Sequence, residues 1–173
     1  RVLDENLEPR RDGDAGPPFF SLIEFNLSGL CNRTCVFCPR VDPKVFPNLN
    51  EHIPMELYEK VIKDLAEVDY SGIILFSAFS EPLLHKNIEG LLELTKSYLP
   101  NVRVESVTNG DSLTVEKLRS LFEAGLDTLL ISMYDGPEQE SQFKSMVEEA
   151  GLNDTQVVLR VRWLPPEQNF GIT

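Results

Sequence analysis

The chain of 173 residues is short of cysteine, of histidine, of positive charge and of long apolar runs, and each shortage closes off a class of protein. Three cysteines are an odd number and cannot build a fully paired disulfide framework. No stretch approaches the roughly 18 consecutive apolar residues of a membrane-spanning helix. Residues 1–18 (RVLDENLEPRRDGDAGPP) have no apolar segment of the kind that marks a secretory signal. The expectation is a soluble, cytoplasmic protein with no membrane partner. Sixteen Lys and Arg stand against 28 Asp and Glu, a net charge of −12, with no basic run. Nucleic acid is therefore not an expected partner, because affinity for phosphates needs clustered cations. What the chain does have is core material. At 42% hydrophobic residues, it can bury roughly 70% of the surface that its unfolded state exposes, enough for one domain.

The polar segment 1–18 ends in Gly16, Pro17 and Pro18 and reads as a flexible N-terminal arm or linker ahead of a core domain over 19–173. Beyond it, short β-branched or aromatic runs alternate with longer segments of 3.6-residue period. Strands are expected at 22–27, 72–77, 102–108, 127–133 and 157–162, and helices at 54–68, 87–98, 114–124 and 137–150. Thr114 is placed as an N-cap, with Gly125 and Gly151 just past helix ends. Five strands alternating with four helices make a parallel α/β fold, either doubly wound or curled toward a barrel. Glu24, Asn26 and Ser28 share one side of the first strand, and Arg160 and Arg162 one side of the fifth. A flat sheet covered on both faces reads as nearly continuous apolar runs. Polar residues on one side suit a curved sheet whose concave face lines a cavity.

The three cysteines all lie in one run, Cys31-Asn-Arg-Thr-Cys35-Val-Phe-Cys38. Random placement would give this spacing on the order of once in five thousand. The run follows the first strand, at the end of a parallel sheet where ligands bind. Soft thiolates select zinc or iron-sulfur clusters. Structural zinc takes four ligands, and neither His52 nor His85 stands at a zinc-finger spacing from the cysteines. A [4Fe-4S] cluster ordinarily takes one thiolate per iron, so three cysteines leave one iron open for a substrate or cofactor.

This motif resembles the signature of the radical S-adenosylmethionine (radical SAM) enzymes, C-x₃-C-x-aromatic-C, with Phe37 in the aromatic position. Further segments resemble the family in order: Phe79-Ser80-Glu81-Pro82-Leu83-Leu84-His85 is similar to its G-G-E-P-L-L-H stretch, Thr108-Asn109-Gly110 to its T-N-G element, and Ile131 to Gly136 to its I-S-x-D-G element with one extra residue. The resemblance implies a partial (β/α)₆ barrel with about five strands and four helices present here. It implies a [4Fe-4S] cluster on Cys31, Cys35 and Cys38, with S-adenosylmethionine (SAM) on the open iron. Phe37, Ser80, Glu81, Asn109, Ser132 and Arg162 are the candidate SAM contacts. An external one-electron donor, flavodoxin- or ferredoxin-like, would drive reductive cleavage of SAM to a 5′-deoxyadenosyl radical. That radical would take hydrogen from a small-molecule or peptide substrate, the family's peptides, nucleosides and sugars all remaining open.

Phe79 and Ser80 replace two family glycines, which should narrow backbone freedom there. The chain stops one strand short of the barrel it resembles, as expected of a SPASM-type member lacking its C-terminal part. The alternative from a different class is a non-catalytic metal module, structural zinc or an electron-transfer iron-sulfur protein. For Arg160 and Arg162 two roles stand side by side: a carboxylate clamp, or a salt bridge to inward acids such as Glu24 or Glu105. Glu81 alone would read as a solvated turn residue. His85 reads as a helix-start residue, and His52 as a loop residue without a partner.

Overall fold

The computed structural model describes residues 20–163; the expected arm over 1–18 lies outside them. Five strands, β1 (Leu22–Phe25), β2 (Ile73–Phe76), β3 (Arg103–Thr108), β4 (Thr128–Met133) and β5 (Val157–Val161), form one sheet. Four helices connect them: α1 (Met55–Glu67), α2 (Ile88–Tyr98), α3 (Val115–Glu123) and α4 (Glu138–Ala150). Every pairing is parallel and the spatial order is β1-β2-β3-β4-β5, the same as the chain order. A doubly wound sheet reverses direction at a switch point; this one never does. Right-handed crossovers taken always in the same direction put all four helices on one face, leaving the other face open as in a barrel wall. The arrangement is a five-stranded arc of the partial-barrel type.

Side chains divide by strand alternation. Phe25, Ile74, Phe76, Val104, Leu129, Ile131, Met133 and Val157 point into the core beneath the helices, where Ile62, Leu91, Leu92, Leu118 and Leu121 meet them. Burying each such side chain stabilises the fold by about 1.5–3 kcal/mol relative to exposure. Phe25 and Tyr58 pack edge to face with centroids 5.1 Å apart, and the buried Tyr58 hydroxyl lies 2.6 Å from Thr95 Oγ1, so its polar tip is satisfied inside the core. The opposite residues, Glu24, Glu105 and Arg160 among them, face the concave side.

The expected boundaries hold to within two residues. β3 and β4 end where expected, and β1, β2 and β5 end one or two residues early because the residues after them leave the ladder. Thr114 caps α3 by accepting from the Lys117 amide at 3.1 Å. Gly151 ends α4 at φ 77°, a left-handed conformation that costs glycine little.

Candidate functional site

The long connection from β1 to α1 carries the cysteines and is tied down by its own return path. The amides of Gly29, Leu49 and Ile53 donate to the carbonyls of Glu51, Gly29 and Leu27 at 2.8–3.0 Å, so the returning segment pairs antiparallel beyond the end of β1. Asn48 fixes the first cysteine from both sides: its Oδ1 accepts from the Cys31 amide at 2.9 Å and its Nδ2 donates to the Cys31 carbonyl at 3.1 Å. Cys38 donates its amide to the Cys35 carbonyl at 3.0 Å and leads into a short 3₁₀ turn, Pro39–Val41. Arg40, 6% exposed, is the hub of this loop. It donates to Gly29 O at 2.7 Å, to Asn48 Oδ1 at 3.0 Å and to the Phe79 carbonyl, and lies over the Phe46 ring. Nothing in local pattern distinguishes such an arginine from a surface one.

The loop after β2 is joined to the cysteine loop by the Glu81 amide, which donates to Leu30 O at 2.8 Å. Glu81 is buried, not solvated as a bare turn would have it. Its carboxylate accepts from the Leu83 amide at 3.1 Å, from Thr108 Oγ1 at 2.6 Å and from the Asn109 amide at 2.8 Å, clipping this loop to the end of β3. Burial raises its pKa above the ordinary value of 4.5, and these donors only partly offset that. Ala78 adopts φ 69°, with its amide donating to Glu24 Oε1 at 3.0 Å. Neither Phe79 nor Ser80 has positive φ, so the two positions where the family carries glycine need no glycine here.

Three contacts close the cysteine loop against the ends of β3 and β4. Asn109 Nδ2 donates to Asn32 Oδ1 at 2.7 Å. Arg33 makes paired bonds to Asp111, at 2.7 and 2.5 Å, and to Asp135, at 2.7 and 2.5 Å, with its guanidinium 5.2 Å from the Tyr134 ring centre. These carboxylates push the Arg33 pKa up and, in return, Arg33 pulls Asp135 down. Phe37 stacks on Tyr134 with centroids 6.1 Å apart. Gly110 makes the Thr108-Asn109-Gly110 turn possible: at φ 79°, a Cβ there would stand 2.5 Å from Phe143 Cζ.

The result is a cavity of about 120 Å³ at the C-terminal end of the sheet, lined by Cys31, Cys35, Cys38, Phe37, Ser80, Glu81, Asn109 and Ser132, with Arg40 and Tyr134 also in the wall. A neighbouring cavity of about 190 Å³ shares Arg33, Cys35, Phe37 and Tyr134. Larger hollows lie beside the β1 loop and between α4 and β5, and neither contains a thiol. Chemistry rather than volume selects the site. Arg162 is exposed and does not line the thiol cavity; Arg160 donates instead to Ser132 Oγ at 2.8 Å. The alternative of a bridge from Arg160 to Glu105 is replaced by Arg103, which holds Glu105 at 2.6 Å. His52, expected to stand alone, meets Asn50 Oδ1 at 3.1 Å and packs on His85 at 5.1 Å. His85 accepts from the Asn87 amide just ahead of α2, the helix-start place expected of it.

Burial pushes the Cys31 and Cys35 thiols up; Glu81 adds to this at Cys31, and the other two cysteines add to it at Cys35. Thiols raised in this way, as Cys31 and Cys35 are, make poor free nucleophiles, whereas a bound metal deprotonates a coordinating thiol outright. Among the described residues no three His, Cys, Asp or Glu are gathered around a single-ion position. In a four-iron cluster each thiolate bonds a different iron, so the cysteines need only share one cavity, as they do. Ser80 Oγ is buried without a hydrogen-bond partner and lies in the same wall, an unmet polar atom facing a space for a polar ligand. The donor set fits a cluster with an adjoining polar cofactor.

A parallel barrel-type arc with a three-cysteine loop after its first strand defines a class of cluster-dependent enzymes, and known proteins of that class match this chain. The family model for the radical SAM superfamily matches residues 25–158. The S-adenosyl-L-methionine-dependent 2-deoxy-scyllo-inosamine dehydrogenase of Niallia circulans is 34% identical over 140 residues, 80% of this chain and 54% of that protein. The crystal structure of BtrN in complex with AdoMet and 2-DOIA superposes with a TM-score of 0.71 at 28% identity, over 83% of this chain and 57% of that one. Selenomethionine BtrN in an open conformation gives 0.65 at 30% identity, over the same shares of the two chains. The chain belongs to the radical SAM superfamily, whose cofactors are a [4Fe-4S] cluster and SAM. It spans about half the length of the curated relative it matches. No helix among the described residues is long and apolar enough to cross a membrane.

Proposed function

We propose that residues 19–173 are the core of a radical SAM enzyme that removes hydrogen from a hydroxylated, sugar-like small molecule. The observation that carries this reading is the convergence of three thiols from one loop with Ser80, Asn109 and Ser132 from three other strand ends on a single cavity. Cys31, Cys35 and Cys38 hold the cluster and leave one iron for SAM. When bound, the cluster and SAM supply reductive sulfonium cleavage and a 5′-deoxyadenosyl radical.

The protein's part is placement and exclusion of water. Glu81 acts through its backbone, since its carboxylate is committed to Leu83, Thr108 and Asn109; it sets the course of the loop that presents Ser80 to SAM. Asn109 and Ser132 offer polar side chains from the ends of β3 and β4, and Phe37, held by Tyr134, covers the cysteine side. Asn48 and Arg40 hold the first cysteine and the loop after β2 in one frame. The choice of a sugar-like substrate is supported by the relative named as a 2-deoxy-scyllo-inosamine dehydrogenase. Electrons come from a flavodoxin- or ferredoxin-like donor.

The test is anaerobic iron-sulfur reconstitution followed by SAM and dithionite, with 5′-deoxyadenosine measured by chromatography. The expected result is its formation, lost when any one of the three cysteines is changed to Ala. Stoichiometric zinc without iron, or a cluster that never cleaves SAM, would overturn the reading.

A further inference from the structure

We propose that His85 is a positioning residue: packed on His52, it latches the loop after β2, which presents Ser80, to the return path of the cysteine loop, and protonation of either ring releases the latch. This rests on the radical SAM core reading above and extends it to two histidines that the reading does not use. The chain has only these two. The loop after β2 is anchored to the cysteine loop at its middle, where the Glu81 amide donates to Leu30 O and Arg40 to the Phe79 carbonyl. A loop held at one place can pivot, and a second contact fixes its direction. His85 makes that contact four residues further on. It follows the 3₁₀ turn Pro82–Leu84, is 7% exposed, and meets the His52 ring with centroids 5.1 Å apart and planes at 76°. His52 in turn belongs to the return path, bridged to Ser28, with the next amide, that of Ile53, donating to Leu27 O at 2.9 Å.

Hydrogen bonds assign the tautomer of each ring. Nδ1 of His85 accepts from the Asn87 amide at 3.2 Å, which puts its proton on Nε2. Nε2 of His52 donates to Asn50 Oδ1 at 3.1 Å, which leaves its Nδ1 bare. The two atoms left over, the Nε2 donor of His85 and the Nδ1 acceptor of His52, are both buried without a hydrogen-bond partner. Neutral rings of these tautomers complement each other; a proton on either ends that. Protonated His85 would turn an Nδ1 donor on the Asn87 amide, and protonated His52 would set a second buried donor beside the first. Neither imidazole has a carboxylate partner among the described residues. Glu51 beside His52 and Lys86 beside His85 are exposed, and Glu89 at the start of α2 is held by Lys117. Burial, and then His52, holds the His85 pKa below its ordinary 6.5, with the Ile53 backbone partly offsetting them. Because the folded pKa is the lower one, the latch is complete above the ordinary value and is lost as pH falls through the folded value.

The test is amide hydrogen exchange by mass spectrometry on the full chain, before and after anaerobic cluster reconstitution, at about pH 7.5 and about pH 5.5, with rates normalised to intrinsic exchange. Protection of 48–53 and 77–87 should fall about tenfold at the lower pH while α3 is unchanged. His85→Gln, neutral at both pH values, should remove that fall, and His85→Ala should be loose at both. SAM affinity of the reconstituted wild type should drop about tenfold over the same interval, and that of His85→Gln should not. Equal protection at the two pH values, loosening that α3 shares, loosening that persists in His85→Gln, or SAM affinity indifferent to the loosening would each overturn the latch. Should His85→Gln not fold, His52→Gln decides by proton NMR: the one remaining imidazole signal should titrate at a higher pH than in the wild type, and an unmoved midpoint would show that the rings do not couple. Exchange is read without the cluster as well as with it, so a chain that loosens in acid as expected yet makes no 5′-deoxyadenosine would fault the core reading and leave the latch standing.

Discussion

The two faces of the one sheet are built on opposite terms. Toward the helices, alternate residues of all five strands are mostly apolar and sealed, and polar groups such as Thr95 and Tyr58 satisfy each other. Toward the concave side the same strands present Glu24, Arg103, Glu105, Ser132 and Arg160, and their loops present thiols, carboxylates and an unpaired Ser80 hydroxyl. The comparison teaches that stability and chemistry are assigned to different parities of the same residues. A change on the helix side should weaken the fold, whereas a change at the mouth should alter the site with less effect on the fold.

The largest effect on stability is expected inside the helix-side core. Leu92 is fully buried, and Leu92→Ala should cost about 2–5 kcal/mol in urea denaturation. A loss under about 1 kcal/mol would break the comparison. Next comes Glu81, the mouth residue most involved in folding. Glu81→Gln cannot accept from the Asn109 amide and the Thr108–Leu83 pair with both ends at once, and should cost about 1–3 kcal/mol. Its folded pKa is raised, so its stabilising contribution is complete below about pH 4.5, its unfolded value, and is lost as pH rises through the folded pKa. Denaturation from pH 4 upward should therefore show a decline in the wild type that Glu81→Gln lacks. Thr114→Ala, removing the α3 cap, should cost about 1 kcal/mol. The smallest effect on stability belongs to Arg33→Met, about 1 kcal/mol or less because its carboxylates are partly solvated. That variant should nevertheless lower iron content after reconstitution, because Arg33 clasps the cysteine loop to the ends of β3 and β4. Unchanged iron loading would show that the clasp does not hold the loop in place.

Much of this was legible in the sequence because it depends on local period. The strands and helices, the Thr114 cap and the concave placement of Ser132 follow from alternation and punctuation, and the tripod from spacing. What local pattern could not show are the long-range pairings. Arg33 and Arg40 sit inside and just after the cysteine motif, yet their partners lie on other loops, and Asn48 meets Cys31 only because the chain doubles back. Glu81 reads as a turn residue until β3 brings Thr108 and Asn109 to it. Arg162 and Arg160 share a strand parity, so only the ladder register distinguishes the one beside Ser132 from the exposed one. The choice between an open sheet and a barrel-type arc likewise needed the strand order, which periodicity does not contain.

The central claim is that the cysteine cavity holds a four-iron cluster with one iron open to SAM. Its most direct test is electron paramagnetic resonance of the anaerobically reconstituted, dithionite-reduced protein with and without SAM. The account predicts a [4Fe-4S]⁺ signal whose g values shift when SAM is added, absent in Cys31→Ala, Cys35→Ala and Cys38→Ala. A cluster signal that SAM leaves unmoved, or one that survives loss of a cysteine from the tripod, would contradict it.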